Sequence, residues 1–159
     1  NVPGRTGSDM LPELIGRLSQ LPNIIGIKDA SADLSRVARH TALCDRGFIQ
    51  LSGEDPTAVG FNALGGVGCI SVTANVAPER CAALQAATLK GDYSEARRIN
   101  DTLARLHRAL FLEASPTPTK YALSLLGLCT EDVRLPLVPV QSADVKKEIE
   151  EGMKEAGVL

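Results

Sequence analysis

The chain has 159 residues, enough for one domain with a workable core. An apolar share of 44%, a charged share of 23% and a net charge of −2 with both signs interspersed read as an ordinary globular protein, not as a nucleic-acid or membrane-surface binder. Tryptophan is absent and aromatics make up 3%, which argues against base-stacking platforms.

In chain order, Ser8 is placed to cap a helix with Leu11, Leu14, Ile15 and Leu18 facing inward. "NIIGIK" (23–28), "FIQLSG" (48–53) and "GCISVT" (68–73) each read as a fully buried strand bounded by turn signals. Between the first two, Asp33 can cap a helix with Leu34, Val37, Ala38 and Ala42 on one face. Asp55-Pro56 opens the next helix, and Gly65-Gly66 closes it. Such alternation predicts parallel strands joined by right-handed crossovers.

From Pro78 onward the pattern is helical. Asp92 precedes a long helix with Ala96, Ile99, Leu103, Leu106 and Leu110 inward. "SPTPTKYALSLLGL" reads as a Pro-initiated helix stopping at Gly127, "RLPLVPV" as an extended connector, and Ser142 as the cap of a last helix through Val145, Ile149 and Met153. Three parallel strands alone would leave long apolar edges exposed. A closed ring of eight would cover them, but only with more chain. The expected fold is therefore α/β: the C-terminal portion of a (β/α)8 barrel, its last three full strands, over residues 1–90, followed by a helical extension over 91–159.

The four cysteines form no CxxC pair and none stands at zinc-site spacing from His40 or His107, so a metal site is not expected. Scattered thiols fit a reducing cytosol, and the expected location is cytoplasmic. No apolar run approaches the roughly 18 to 20 residues of a membrane helix, and no signal-peptide pattern is visible. Both histidines read as surface or satisfied structural residues, and Lys120 as a solvated charge. The glycines at 65, 66 and 68 precede a strand rather than follow one, which argues against a phosphate cradle.

The chemistry-bearing feature is Lys28, at the end of a strand that otherwise looks buried. An ammonium at such a place costs desolvation free energy unless it gives up its proton or finds a partner. A neutral amine condenses with ketones to form a Schiff base, and barrel enzymes place their chemistry at the C-terminal ends of strands. The plainer alternative is a side chain that snorkels to solvent.

"NVPGRTG" (1–7), "GIKDAS" (26–31), "LSGED" (51–55) and "GGVGCISVTANV" (65–76), with "EARRIN", "PTPTKYAL" and "RLPL" beyond them, resemble the C-terminal half of the dihydrodipicolinate synthase family, within the wider N-acetylneuraminate lyase superfamily. The resemblance implies a Schiff-base lyase that condenses pyruvate with aspartate semialdehyde to 4-hydroxy-tetrahydrodipicolinate, on the route to diaminopimelate and lysine. It implies that Lys28 forms the imine, Arg5 binds the semialdehyde carboxylate, Gly53 lets backbone approach substrate, and Ile70 contacts pyruvate through its backbone. It implies no metal or organic cofactor, a homotetramer as the usual assembly, and no nucleic-acid or membrane partner.

Asp29 and Gly4 depart mildly from the family's commoner Glu and Ser. The family's catalytic tyrosine would immediately precede residue 1, and its partner threonines lie on an earlier strand. Tyr93 and Tyr121, in the helical extension, cannot substitute. The chain is thus expected to be a fragment, inactive until another segment supplies the N-terminal half. Two alternatives stay open: another pyruvate-dependent aldolase acting on sialic acid or keto sugars, and a non-enzymatic half-barrel interaction module.

Overall fold

The computed structural model describes all residues, Asn1–Leu159. The chain divides into two compact units, one formed by 1–71 with 85–93, the other by 72–84 with 94–159.

The first unit carries the sheet. A short helix α1 (Pro3–Thr6) and a longer α2 (Pro12–Leu18) precede strand β1 (Gly26–Asp29). Helix α3 (Ser35–Leu43), strand β2 (Ile49–Ser52), a 3-10 turn (Asp55–Thr57) and α4 (Ala58–Ala63) follow. The two strands are parallel, with Lys28 opposite Leu51 and Asp29 opposite Ser52. The expected third strand is not a full one. Residues 68–70 meet β2 through a parallel bridge between Ser52 and Cys69, and the chain then turns into a 3-10 turn at Thr73–Asn75. The expectation of three full strands is corrected to two and a bridge, because hydrogen bonds reach this segment from one neighbour over three residues.

Alternation along β1 decides which side chains go where. Asp29 is buried, as are Gln50 and Ser52 on the paired positions of β2. Gly26 and Lys28 belong to the opposite set, with Ile49 and Leu51 as partners. The helix before β1 begins at Pro12, with Leu11 rather than Ser8 at its N-cap. Proline supplies the start by its fixed φ and missing donor. Asp33 accepts hydrogen bonds from the Ser35 amide and hydroxyl at 3.0 and 2.6 Å, so it shapes the turn into α3 from one residue before the N-cap, which is Leu34 rather than the expected Asp33. Gly65 does end the α4 region, at φ 118°, a backbone angle that side chains with a Cβ avoid.

The second unit is helical. Helix α5 (Pro78–Leu89) contributes its residues up to Leu84, and α6 (Tyr93–Ala109), α7 (Thr117–Leu125) and α8 (Ala143–Glu155) complete it. The inward positions read from the sequence of α6 are buried: Ala96, Ile99, Leu103, Leu106 and, just past its end, Leu110. Ile149 and Met153 of α8 are buried as well. Burying each such large apolar side chain is worth about 1.5–3 kcal/mol, so this layer is the stabilising centre of the unit. Ser142 caps α8 through its hydroxyl, which accepts from the Val145 amide at 3.3 Å. No helix is long and apolar enough to cross a membrane.

Candidate functional site

Four chain segments lie side by side at one end of the first unit. The Asn1 nitrogen donates to the Lys28 carbonyl at 2.8 Å, and the Ala30 amide donates back to the Asn1 carbonyl at 2.9 Å. On the other side of β1, the Gly53 amide donates to the Asp29 carbonyl at 2.7 Å. Beyond β2, the Ile70 amide donates to the Ser52 carbonyl at 2.8 Å. The ladder therefore runs in the order Asn1, β1, β2, residues 68–70.

Lys28 projects from the face that carries Gly26, Ile49 and Leu51, and these residues with Ile25 line an apolar groove of about 360 Å³. Gly53 sits against it. A Cβ added there would fall 2.8 Å from Lys28 Cε, 2.6 Å from Ala30 Cβ and 3.1 Å from Ala30 Cα. Any larger residue would push the amine or its strand aside, which is the physical reason for glycine here. Ile70 stands at the next segment with its side chain half exposed, so its amide–carbonyl contact with Ser52 is what ties it to the sheet.

Arg5 is exposed, on α1, in a turn between Asn1 and Met10. The turn closes on itself: the Arg5 amide donates to the Val2 carbonyl at 2.9 Å, the Gly7 amide to Pro3, and Thr6 Oγ1 to the Ser8 carbonyl at 2.8 Å. The structure thus brings Lys28 and Gly53 into contact, sets Ile70 one segment away, and puts Arg5 on the loop that leaves Asn1.

Sequence reasoning missed three charged neighbours. Glu54 follows Gly53 directly, and its carboxyl is pushed above the usual carboxylate range by burial and then by Asp55, with Lys28 opposing. Its position in "LSGED" was the available signal. Asp9 and Arg36 lie 27 residues apart and are joined by two hydrogen bonds, which no local pattern announces. The Asp9 carboxyl is held below its ordinary range first by Arg36 and then by the Asn1 side chain.

Other expectations fare differently. His107 is buried and its Nδ1 meets Thr73 Oγ1 at 2.8 Å, so one ring nitrogen is engaged within the helical unit. His40 is neither on the surface nor satisfied: it is fully buried and neither ring nitrogen has a hydrogen-bond partner. The Tyr121 hydroxyl donates to Glu150 at 2.7 Å, and burial followed by that carboxylate raises its pKa to about 12. That phenol is committed to α8. No three His, Cys, Asp or Glu side chains come together as metal ligands, and none of the four cysteines is in a disulfide.

Comparison with known proteins places this geometry. The family model of the dihydrodipicolinate synthetase family matches residues 1–156. The chain is 56% identical over 159 residues to the 4-hydroxy-tetrahydrodipicolinate synthase of Cereibacter sphaeroides and 55% identical to that of Ruegeria pomeroyi, covering 100% of itself and 54% of each. It spans about half the length of the curated relatives it matches. Among solved structures it is similar to the dihydrodipicolinate synthase of Thermotoga maritima, with a TM-score of 0.94 and 38% identity over 100% of this chain and 55% of that one. It is also similar to the chloride-inhibited enzyme of Acinetobacter baumannii complexed with pyruvate, with a TM-score of 0.93 and 40% identity over 100% and 54%.

Proposed function

Because the chain belongs to the dihydrodipicolinate synthetase family, we propose that it carries the imine-forming half of a cytosolic synthase that condenses pyruvate with aspartate semialdehyde to 4-hydroxy-tetrahydrodipicolinate. Residues 1–90 are the closing part of a (β/α)8 barrel and 91–159 its helical extension. The complete enzyme is a homotetramer, and this chain is inactive until an N-terminal half closes the ring.

Lys28 Nζ adds to the pyruvate ketone and water leaves, giving an imine. Loss of a methyl proton then gives the enamine, whose carbon attacks the semialdehyde carbonyl and forms the new C–C bond as the carbonyl oxygen takes up a proton. The semialdehyde's amine then displaces Lys28 Nζ from the imine carbon, closing the ring and freeing the lysine. The protonated imine nitrogen accepts the electron pair, so the cycle calls for no metal or organic cofactor. Arg5 holds the semialdehyde carboxylate, which a planar guanidinium can grip at both oxygens. Gly53 leaves room for substrate beside the amine, and the Ile70 backbone borders the pyruvate.

The observation that carries this reading is the amine on an apolar strand face, set against a glycine that no larger residue could replace without displacing it. Joining this chain to the N-terminal half of a curated relative and treating the product with pyruvate and borohydride tests it. The expected result is a covalent adduct on Lys28, absent in Lys28→Ala, together with turnover of aspartate semialdehyde in preference to sugar aldehydes. A completed barrel that gives no adduct on Lys28 overturns the reading.

A further inference from the structure

Arg36 of α3 has a side chain only 11% exposed, yet it meets groups from three separate stretches of the first unit. Its Nη1 donates to Asp9 Oδ1 at 2.9 Å and its Nη2 to Asp9 Oδ2, a two-pronged grip on one carboxylate. Nη1 also donates to the Met10 carbonyl at 3.3 Å and stands 3.9 Å from Asp29 Oδ2. Nε lies 3.6 Å from Asp33 Oδ2. The same Asp9 Oδ1 accepts from Asn1 Nδ2 at 2.9 Å, and Asn1 Oδ1 in turn accepts from the Met10 amide at 3.0 Å. The Asn1 side chain therefore bridges the two ends of the loop that holds Arg5, and the guanidinium fastens that closed loop to α3 while its charge faces a carboxylate oxygen of Asp29, the strand residue next to Lys28, across 3.9 Å.

We infer that Asp9 and Arg36 are positioning residues for Arg5, fixing the distance between its guanidinium and the Lys28 amine and so setting the affinity for the carboxylate-bearing aldehyde. This rests on the proposed function. Asp29 is one residue from Lys28, and Asp9 is two residues beyond the turn at Gly7 that closes α1. A single, mostly covered guanidinium thus stands between the strand that carries the amine and the loop that carries the carboxylate holder. Two-pronged charge-assisted pairs give geometric definition as well as strength. In the proposed reaction Arg5 meets the second substrate and not pyruvate, so a displaced loop weakens binding of the aldehyde first.

The test uses this chain in a barrel completed with a relative's N-terminal half, as wild type, Asp9→Asn, Arg36→Gln, Arg36→Lys and the double variant Asp9→Asn/Arg36→Gln. In the single variants, KM for aspartate semialdehyde is expected to rise about tenfold or more, kcat at saturation and KM for pyruvate to stay within about threefold, and borohydride trapping at Lys28 to persist. Arg36→Lys keeps charge without the fork and should recover little. The double variant should be no worse than the worse single one, the signature of one shared interaction. Amide exchange over residues 2–8 should quicken in every variant. An unchanged KM for the semialdehyde in a variant that still traps pyruvate overturns the inference, as does an equal rise in both KM values. Failure of wild type to trap pyruvate overturns the proposed function instead, and unchanged loop exchange would then separately overturn the staple.

Discussion

His40 sits on α3 with no solvent exposure and no hydrogen-bond partner at either ring nitrogen. Desolvation is the largest influence on it and lowers its pKa from 6.5. Asp29 and the Gln50 side chain push the other way, and Arg36 and Arg39 add to the lowering. A histidine with a depressed folded-state pKa binds its proton more readily when unfolded. Its contribution to stability is thus complete above pH 6.5 and declines as pH falls below that toward the folded value, by at most about 1.4 kcal/mol per pH unit. Urea midpoints measured at pH 7.5 and pH 5.5 should differ less in His40→Leu than in wild type, and an equal difference in both proteins would show that His40 is not a source of the acid sensitivity. Nothing around "ARHTAL" announces a buried histidine, because a helix spacing says which face a residue occupies and not whether its ring finds a partner. Lys28 was legible for the opposite reason, since a cation closing an apolar run is an exception to local preference, whereas Gly53 was singled out only through the family resemblance. Asp9 and Arg36 look like ordinary surface charges until the fold brings them together.

The helices of the second unit follow their sequence closely, since spacing alone decides which positions of α6 face inward. Strand 68–73 was read too long because an apolar run reports burial, whereas a ladder also needs a neighbour to hydrogen-bond along its whole length. The α6–α8 contact makes a demanding test of packing over propensity. A Cβ on Gly152 would lie 2.9 Å from both the nitrogen and the Cα of Leu106, which are backbone atoms and cannot swing away. Alanine is favoured over glycine inside a helix by about 0.8–1 kcal/mol. Forcing two packed backbones apart costs roughly 1–3 kcal/mol. Gly152→Ala should accordingly lower the urea midpoint, read by far-UV circular dichroism, even though it improves the helix in isolation. A raised midpoint would mean that α8 is free to shift away from Leu106. Arg105, which bonds Glu148 and Glu155 of α8 at 2.8 Å each, is only partly buried, so its ion pairs add little to this balance.

At the scale of the whole molecule, the sheet ends on both sides without a full neighbour. β1 is met on its outer side by Asn1, and residues 68–70 are met by β2 alone. Ile25, Ile49 and Ile70 are between 40% and 70% exposed, and the first two line the groove beside Lys28. Unpaired edges next to exposed isoleucines are a template for association. The relatives that share this sequence are about twice as long, and in a closed ring such edges would be covered. The chain by itself is therefore expected to associate, its average mass by light scattering after size exclusion rising with loading concentration. Replacing Ile25 by lysine, which places a charge at the groove's most exposed apolar position, should weaken that rise. If, as proposed, an N-terminal half closes the ring, the association should collapse to one defined oligomer. A chain that stays monomeric across the concentration range would show that these edges need no cover, and the case for a ring closed by a second segment would lose its physical basis.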